Sequence, residues 1–365
     1  MTSVEQGSTT QLPPKGEPSA ATAPNPDALS TQHDFTFTGS GGEYFRIWIV
    51  NLALSILTLG IYSAWATVRT RKYFYGNTHV AGSAFEYLAT PMAILKGRLI
   101  AVAVFAAYLI VGHFYPTYQI ILTVFIWLLI PIVIVQSLSY RAQSSAYRGV
   151  RLAFNGDKKS SYASFLGWPL LIPFTLGLIV PFVIFKQAKF VAANHRFGGE
   201  AFSFSAKASQ YYGIYLGVFL LMLGLGLGLG VLIPLLSSLG ALFLLDVLTL
   251  AIVPFYLVVW VIGGYLFIRQ QQLLFNHTQI GSQFSFKAQY SARSWIWLLL
   301  SNTLLLGLTL GLYYPWAKVR TAKFRVQNLA LDAQADLDHF VDQNLADTKA
   351  TGEELGDIFS VEVGV

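Results

Sequence analysis

A stretch such as LIAVAVFAAYLIVGHFY, residues 99–115, leaves a backbone few options. Side chains this apolar need a large core or lipid around them, and about twenty of them cross the hydrocarbon of a bilayer as one helix. Seven blocks of this kind occur: Phe45–Trp65, Gly97–Tyr115, Thr117–Leu138, Ala163–Phe185, Tyr211–Leu235, Leu239–Ile268 and Trp295–Trp316. Only 12% of the residues are charged, about half the share in soluble domains. The expectation is an all-α polytopic membrane protein with seven apolar segments.

The blocks are related. Thr58-Leu59-Gly60, Thr175-Leu176-Gly177 and Thr309-Leu310-Gly311 can be set in register. Each threonine is followed at fixed spacing by an aromatic (Trp65, Phe182, Trp316), a cation (Arg69, Lys186, Arg320), a lysine (Lys72, Lys189, Lys323) and an asparagine (Asn77, Asn194, Asn328). That spacing describes a three-fold internal repeat. A second pattern occurs in NTHVAGSAFEY (Asn77–Tyr87), NHRFGGEAFSF (Asn194–Phe204) and NHTQIGSQFSF (Asn276–Phe286). A glycine five residues after the asparagine and alternating aromatics beyond it predict a turn and a short strand. FTFTGSGGEYF, Phe35–Phe45, begins with the same aromatic pair.

The stretch WIVNLALSILTLGIYSAWATVRTRKYFYGNT, followed by GSAFEYLATPMAILKGRLIAV, resembles the YjgN family of bacterial inner-membrane proteins. The likeness covers roughly residues 35–330. It implies an integral inner-membrane protein of a Gram-negative bacterium, and it brings no established activity and no active site to carry over. The domain reading is a disordered N-terminal tail over 1–34, a repeat-built transmembrane domain over 35–330 and an acidic C-terminal tail over 331–365. The N-terminal tail lacks a charged n-region and an apolar h-region, so the first apolar block is expected to be the targeting signal. The C-terminal tail holds nine acids and one lysine. Its Leu331, Leu337, Phe340, Val341 and Leu345 fit a short amphipathic helix docked on a basic face, or a solvated tail.

Lysine and arginine fall in the segments 66–96, 139–160, 186–210, 269–294 and 316–330, and the turns HFYPT and SSLG have none. The positive-inside rule puts those five segments and the C-terminus in the cytoplasm. Seven single crossings cannot do this, because crossings alternate sides. Either the three Thr-Leu-Gly segments dip in and return, turned at Gly60, Gly177 and Gly311, or all seven blocks cross and two basic segments lie outside.

Arg69, Lys72, Lys186, Lys189, Arg320 and Lys323 lie three apart in pairs, on one helix face. They suit headgroup anchoring or a shared anion- or lipid-binding ring. Asp246 is the single acid inside an apolar block, and an intramembrane acid is a functional candidate by default. Asn51 and Asn302 occupy matching positions seven residues before their threonines, as polar contacts between segments or parts of a polar path with Asp246. The glycines of GLGLGLG, Gly224–Gly230, fit close helix packing.

The chain has no cysteine, which excludes disulfides and thiolate chemistry. No hydrolase, kinase or zinc-protease motif occurs, so no enzyme, cofactor or metal site is expected. The cations flank apolar blocks, so the expected partner is a bilayer with anionic headgroups and not a nucleic acid. Two functions remain: a transporter or channel for a small solute, since repeats with broken segments mark transport sites, or a non-enzymatic scaffold whose basic repeats bind the inner leaflet or a partner.

Overall fold

The computed structural model describes residues 31–237 and 241–346, without the side chains of 236–254. The chain alternates short strand pairs with helix pairs. Strands β1 (Thr31–Asp34) and β2 (Thr36–Phe37) lead into helices α1 (Gly41–Leu57) and α2 (Ser63–Gly76). The hairpin β3 (Thr78–Val80) and β4 (Ser83–Tyr87) follows, then α3 (Pro91–Phe114) and α4 (Pro116–Gln143). Next come β5 (Ser145–Tyr147), β6 (Val150–Phe154), the short helices α5 (Lys158–Tyr162) and α6 (Trp168–Leu170), and α7 (Val180–Ala193). Hairpin β7 (His195–Phe197) and β8 (Glu200–Phe204) precedes α8 (Ala208–Ser237) and α9 (Ala241–Asn276). The last part comprises β9 (Thr278–Ile280), β10 (Phe284–Ala288), α10 (Ala292–Leu308), α11 (Tyr314–Gln327) and β11 (Leu329–Ala333).

The eleven strands form one antiparallel sheet whose two end strands are β1 and β2. These are consecutive in the chain, separated by Phe35. Thr31–Asp34 pairs with β11 and Thr36–Phe37 with β3, so one extended segment joins both edges and the sheet curls into a nearly closed ring. This overturns the expectation of an all-α protein. It also leaves no long unpaired edge to recruit another chain.

The register puts helices α1 to α11 at one rim. Tyr87, the end of β4, pairs with Ser145, the start of β5, and Phe154 pairs with His195. Each helix pair therefore leaves and re-enters the ring between neighbouring strands. Five equivalent junctions close these exits: Thr38 N donates to Asn77 O, Leu88 to Ser144, Asn155 to Asn194, Ser205 to His277 and Gln289 to Asn328, all at 2.9–3.0 Å. The asparagines act as helix caps. The Nδ2 groups of Asn77, Asn194 and Asn328 donate to the carbonyls of Tyr73, Phe190 and Phe324 at 2.7–2.8 Å, and Ser144 Oγ does the same to Tyr140.

Seven spanning segments also give way. Among the described residues four helices are long and apolar enough to cross a membrane: Pro91–Phe114, Pro116–Gln143, Ala208–Leu235 and Phe255–Asn276. The three Thr-Leu-Gly blocks are each broken in two and turned back. α1 has 17 residues and α2 has 14, about 25 and 21 Å at the helical rise. At the turn Gly60 N reaches back to Ser55 O at 2.7 Å, Gly177 N to Ile172 O at 3.0 Å and Gly311 N to Leu306 O at 2.8 Å. This is the six-to-one bond of a Schellman turn. Leu59, Leu176 and Leu310 take its left-handed position, each at φ 49°, and the glycine after each also has positive φ. Thr58 and Thr309 accept the N–H of Tyr62 and Tyr313 at 2.9 and 3.0 Å, which starts the returning helix.

The ring is filled by its own aromatics. Phe35, Tyr147, Phe197 and Phe284 are buried with Val80, Val150, Ile280 and Leu331. Residues 337–346 form a helix across the rim opposite the other helices. Leu337, Phe340 and Val341 enter the same core, and Phe340 lies 4.4 Å from Phe284 and 6.0 Å from Phe197, ring centre to ring centre. A ring this size buried contributes about 2–3 kcal/mol. Asn344 Oδ1 accepts from Gly199 N at 2.9 Å. A Cβ on Gly198 would come within 2.4 Å of that oxygen, so the close approach requires glycine. Arg148 fixes the helix from the side: it pairs with Asp338 and donates to Ser83 Oγ at 2.8 Å and Ala81 O at 2.9 Å. The bond to Asp338 is the main reason its pKa rises above the ordinary guanidinium value.

Candidate functional site

The first and last short helix pairs pack side by side, because β1 and β2 join the ring next to β11. A cleft of about 620 Å³, with apolar walls that carry several polar groups, opens between α1, α2 and α11. On α1 its wall carries Tyr44, Trp48, Asn51 and Ser55; on α2, Ser63, Thr67, Thr70 and Arg71; on α11, Tyr314 and Lys318. Positions 63, 67, 70 and 71 follow the three-to-four spacing that aligns one helix face.

Among the described residues, no acid pairs with the cations of the cleft. Lys318 Nζ is 3.3 Å from Tyr44 Oη and 5.2–5.6 Å from the ring centres of Tyr44, Phe74 and Tyr314. Arg71 donates to Tyr87 Oη at 2.7 Å and lies over its ring. From α3, Arg98 donates to Ser63 Oγ and, at 2.8 Å, to Thr67 Oγ1. The ion pairs among the described residues are Arg148–Asp338 and Lys287–Asp332, both on the ring. Asn51 Oδ1 is buried without a hydrogen-bond partner.

Asn51 and Asn302 do not meet. Asn51 Nδ2 reaches Ala66 O at 3.5 Å. Asn302 Nδ2 makes the matching bond to Ala317 O at 3.3 Å, and its Oδ1 accepts from Arg320 Nη1 at 2.7 Å. Asp246 belongs to α9 and its side chain lies outside the described residues. The six repeated cations occupy equivalent places on three separate helix pairs. Arg69, Lys72, Lys189 and Lys323 are exposed and Arg320 half-buried, while half-buried Lys186 lies over the rings of Trp168, Phe182 and Phe185. Gly60, Gly177 and Gly311 sit in the turns, and Gly311 also borders the cleft. Gly224, Gly226, Gly228 and Gly230 have no described neighbour within 4 Å of a would-be Cβ. Arg71, Arg98 and Lys318 were not singled out by sequence, because they fall at positions that do not recur. The alignment of Ser63, Thr67, Thr70 and Arg71 was the available signal.

The ring junctions carry one titratable group of note. His195 bonds Val191 O through Nδ1 at 2.6 Å. Burial lowers its pKa below the ordinary imidazole value, partly opposed by that bond.

The family model for bacterial proteins of unknown function, DUF898, matches residues 32–358. The chain belongs to the DUF898 family. The likeness to YjgN read from the first repeat holds for this DUF898 protein. The inner membrane protein YjgN of Salmonella typhimurium is 25% identical over 363 residues, covering 84% of this chain and 89% of the relative. The YjgN proteins of Escherichia coli O157:H7 and K12 are 32% identical over 163 residues, 44% of this chain and 40% of each relative. These relatives are inner-membrane proteins, and the four long apolar helices fit that setting. No solved structure matches the chain.

Proposed function

We propose that this protein is a non-enzymatic, lipid-interacting scaffold of the inner membrane, with a cytoplasmic ring and helix pairs inserted at two depths. α3–α4 and α8–α9 cross the bilayer and return. The three short pairs dip in from the cytoplasmic leaflet and turn back. All five basic segments adjoin the ring, and under the positive-inside rule this supports a cytoplasmic ring and C-terminal helix.

One observation carries this reading. Leu59, Leu176 and Leu310 are 95, 93 and 95% exposed at the tips of the short pairs, in a left-handed conformation that costs a residue with a Cβ about 1–2 kcal/mol. Glycine or asparagine would fill that position more easily. Three strained leucines facing outward are unfavourable in water and favourable in hydrocarbon, where each gains about 1.5–3 kcal/mol. A transporter or channel for a small solute finds less support. Asn51 and Asn302 bond to separate helix pairs and line no common path, and aromatics occupy the axis of the ring.

The test uses the absence of cysteine in the chain. Single cysteines at Leu59, Leu176 and Leu310 should resist a membrane-impermeant maleimide from both sides. Cysteines at Lys207 and Lys287, on the ring, should react only after the inner membrane is opened. Labelling of any of these positions from the periplasm of intact cells would overturn the arrangement.

A further inference from the structure

In the cleft between α1, α2 and α11 two cations are met by aromatic rings and hydroxyls but by no negative charge among the described residues. Arg71 and Lys318 are half-buried and line one cavity, and neither has a carboxylate partner among the described residues. A cation set among apolar helices at the edge of a bilayer is expensive unless a counter-charge joins it. Thr70, on the same wall, donates to no group among the described residues. Asn51 Oδ1 is a buried acceptor awaiting a donor. A ligand that satisfies all of them is anionic and carries a hydroxyl or amine. The volume, about 620 Å³, lies within the range of small-molecule sites.

We infer that the cleft is a binding site for a phosphate ester, the headgroup of an anionic phospholipid. Arg71, Lys318 and the Thr70 hydroxyl hold the phosphate, and Asn51 Oδ1 accepts from the headgroup's hydroxyl or amine. Arg98, bonded to Ser63 and Thr67, adds positive potential at the side of the cleft. Trp48 and Tyr314 supply the apolar wall along which the glycerol portion lies. The site is distinct from the repeated surface cations Lys72 and Lys323. The lipid source rests on the reading above that the short pairs sit in the leaflet.

The experiment is native mass spectrometry of the full chain in detergent, titrated with phosphatidylglycerol, phosphatidylcholine or glycerol 3-phosphate. Phosphatidylglycerol should be retained in preference to phosphatidylcholine. The double variant R71Q/K318Q should lower that retention roughly thirty-fold, as expected for two headgroup-strength contacts. K72Q/K323Q, equal in charge removed, should change it less than about two-fold, because exposed cations contribute little. Glycerol 3-phosphate binding as tightly as the lipid would keep the cleft as a phosphate-ester site and assign it to a soluble ligand. Equal retention in R71Q/K318Q and the parent would overturn the site, as would an equal loss in K72Q/K323Q. If the glutamine pair does not elute as a folded species, Thr70→Glu replaces it. That carboxylate must expel phosphatidylglycerol, and unchanged retention would again overturn the proposal. Protected leucine tips without a phosphatidylglycerol preference would remove the cleft assignment alone.

Discussion

The first and last short helix pairs use the same residue to opposite ends. In the last pair Asn302 is saturated: its amide reaches Ala317 O and its oxygen takes Arg320. In the first pair Asn51 keeps the matching amide contact, but its oxygen has no partner, and the cation at Arg320's equivalent, Arg69, is exposed. Arg71 and Lys318 line the space beside Asn51 instead. One position has become a structural clasp in one copy and an unpartnered, buried acceptor in the other. Matching sequence spacing therefore predicts a shared backbone but not a shared role.

Substitution at the two asparagines tests this most strongly. Asn302→Leu strips an acceptor from a half-buried guanidinium and should cost about 2–3 kcal/mol. Asn51→Leu loses only a long contact and removes an orphaned oxygen, so it should cost less than about 1 kcal/mol. Thermal unfolding midpoints in one detergent would show this order, and equal losses would erase the distinction. The turns should give a smaller and symmetrical effect. Leu59→Gly and Leu310→Gly each relieve the left-handed strain, offset by glycine's chain entropy, for a gain of about 0.5 kcal/mol in detergent. A gain in one pair only would mean that the two turns differ, contrary to their shared φ values.

The smallest effect extends the comparison to the third pair, whose junction His195 is half-buried. Its pKa is depressed, so the unfolded chain binds the proton more readily. The stabilisation is full above the ordinary imidazole pKa of about 6.5 and is lost as pH falls through that value toward the folded pKa. His195→Gln should flatten this acid limb while leaving the midpoint at pH 8 nearly unchanged. An unaltered acid limb would assign the loss to other groups.

The sequence made local features legible and left their assembly hidden. The break at each Thr-Leu-Gly was readable from glycine, but the left-handed leucine before it was not, because nothing in composition marks a strained residue. Three hairpins were visible from a glycine and two aromatics. A fourth, Ser145–Phe154, follows the same spacing with Ser144 for asparagine and Leu152 for the first aromatic, and so escaped notice. Strands of two to five residues carry too little pattern to reveal their partners. Closure of the ring depends on pairs such as Thr31 with Ala333, which no local spacing encodes. The cleft was hidden for the same reason, since Arg71 and Lys318 come from opposite ends of the chain.

The strand that joins both edges also sets a timetable. Thr31–Phe37 is synthesised before every other described strand, yet half of its partners, Leu329–Ala333, follow every other described strand. Pairings this distant in sequence form late. During synthesis the helix pairs must enter the bilayer while the ring is still an open sheet, with aromatic side chains uncovered and two edges free to mispair. The C-terminal helix, which packs Phe340 into that core, can seat only after the last strand has closed it. Translation that stops short of residue 329 would leave an inserted but unsealed protein, a ready substrate for membrane quality control.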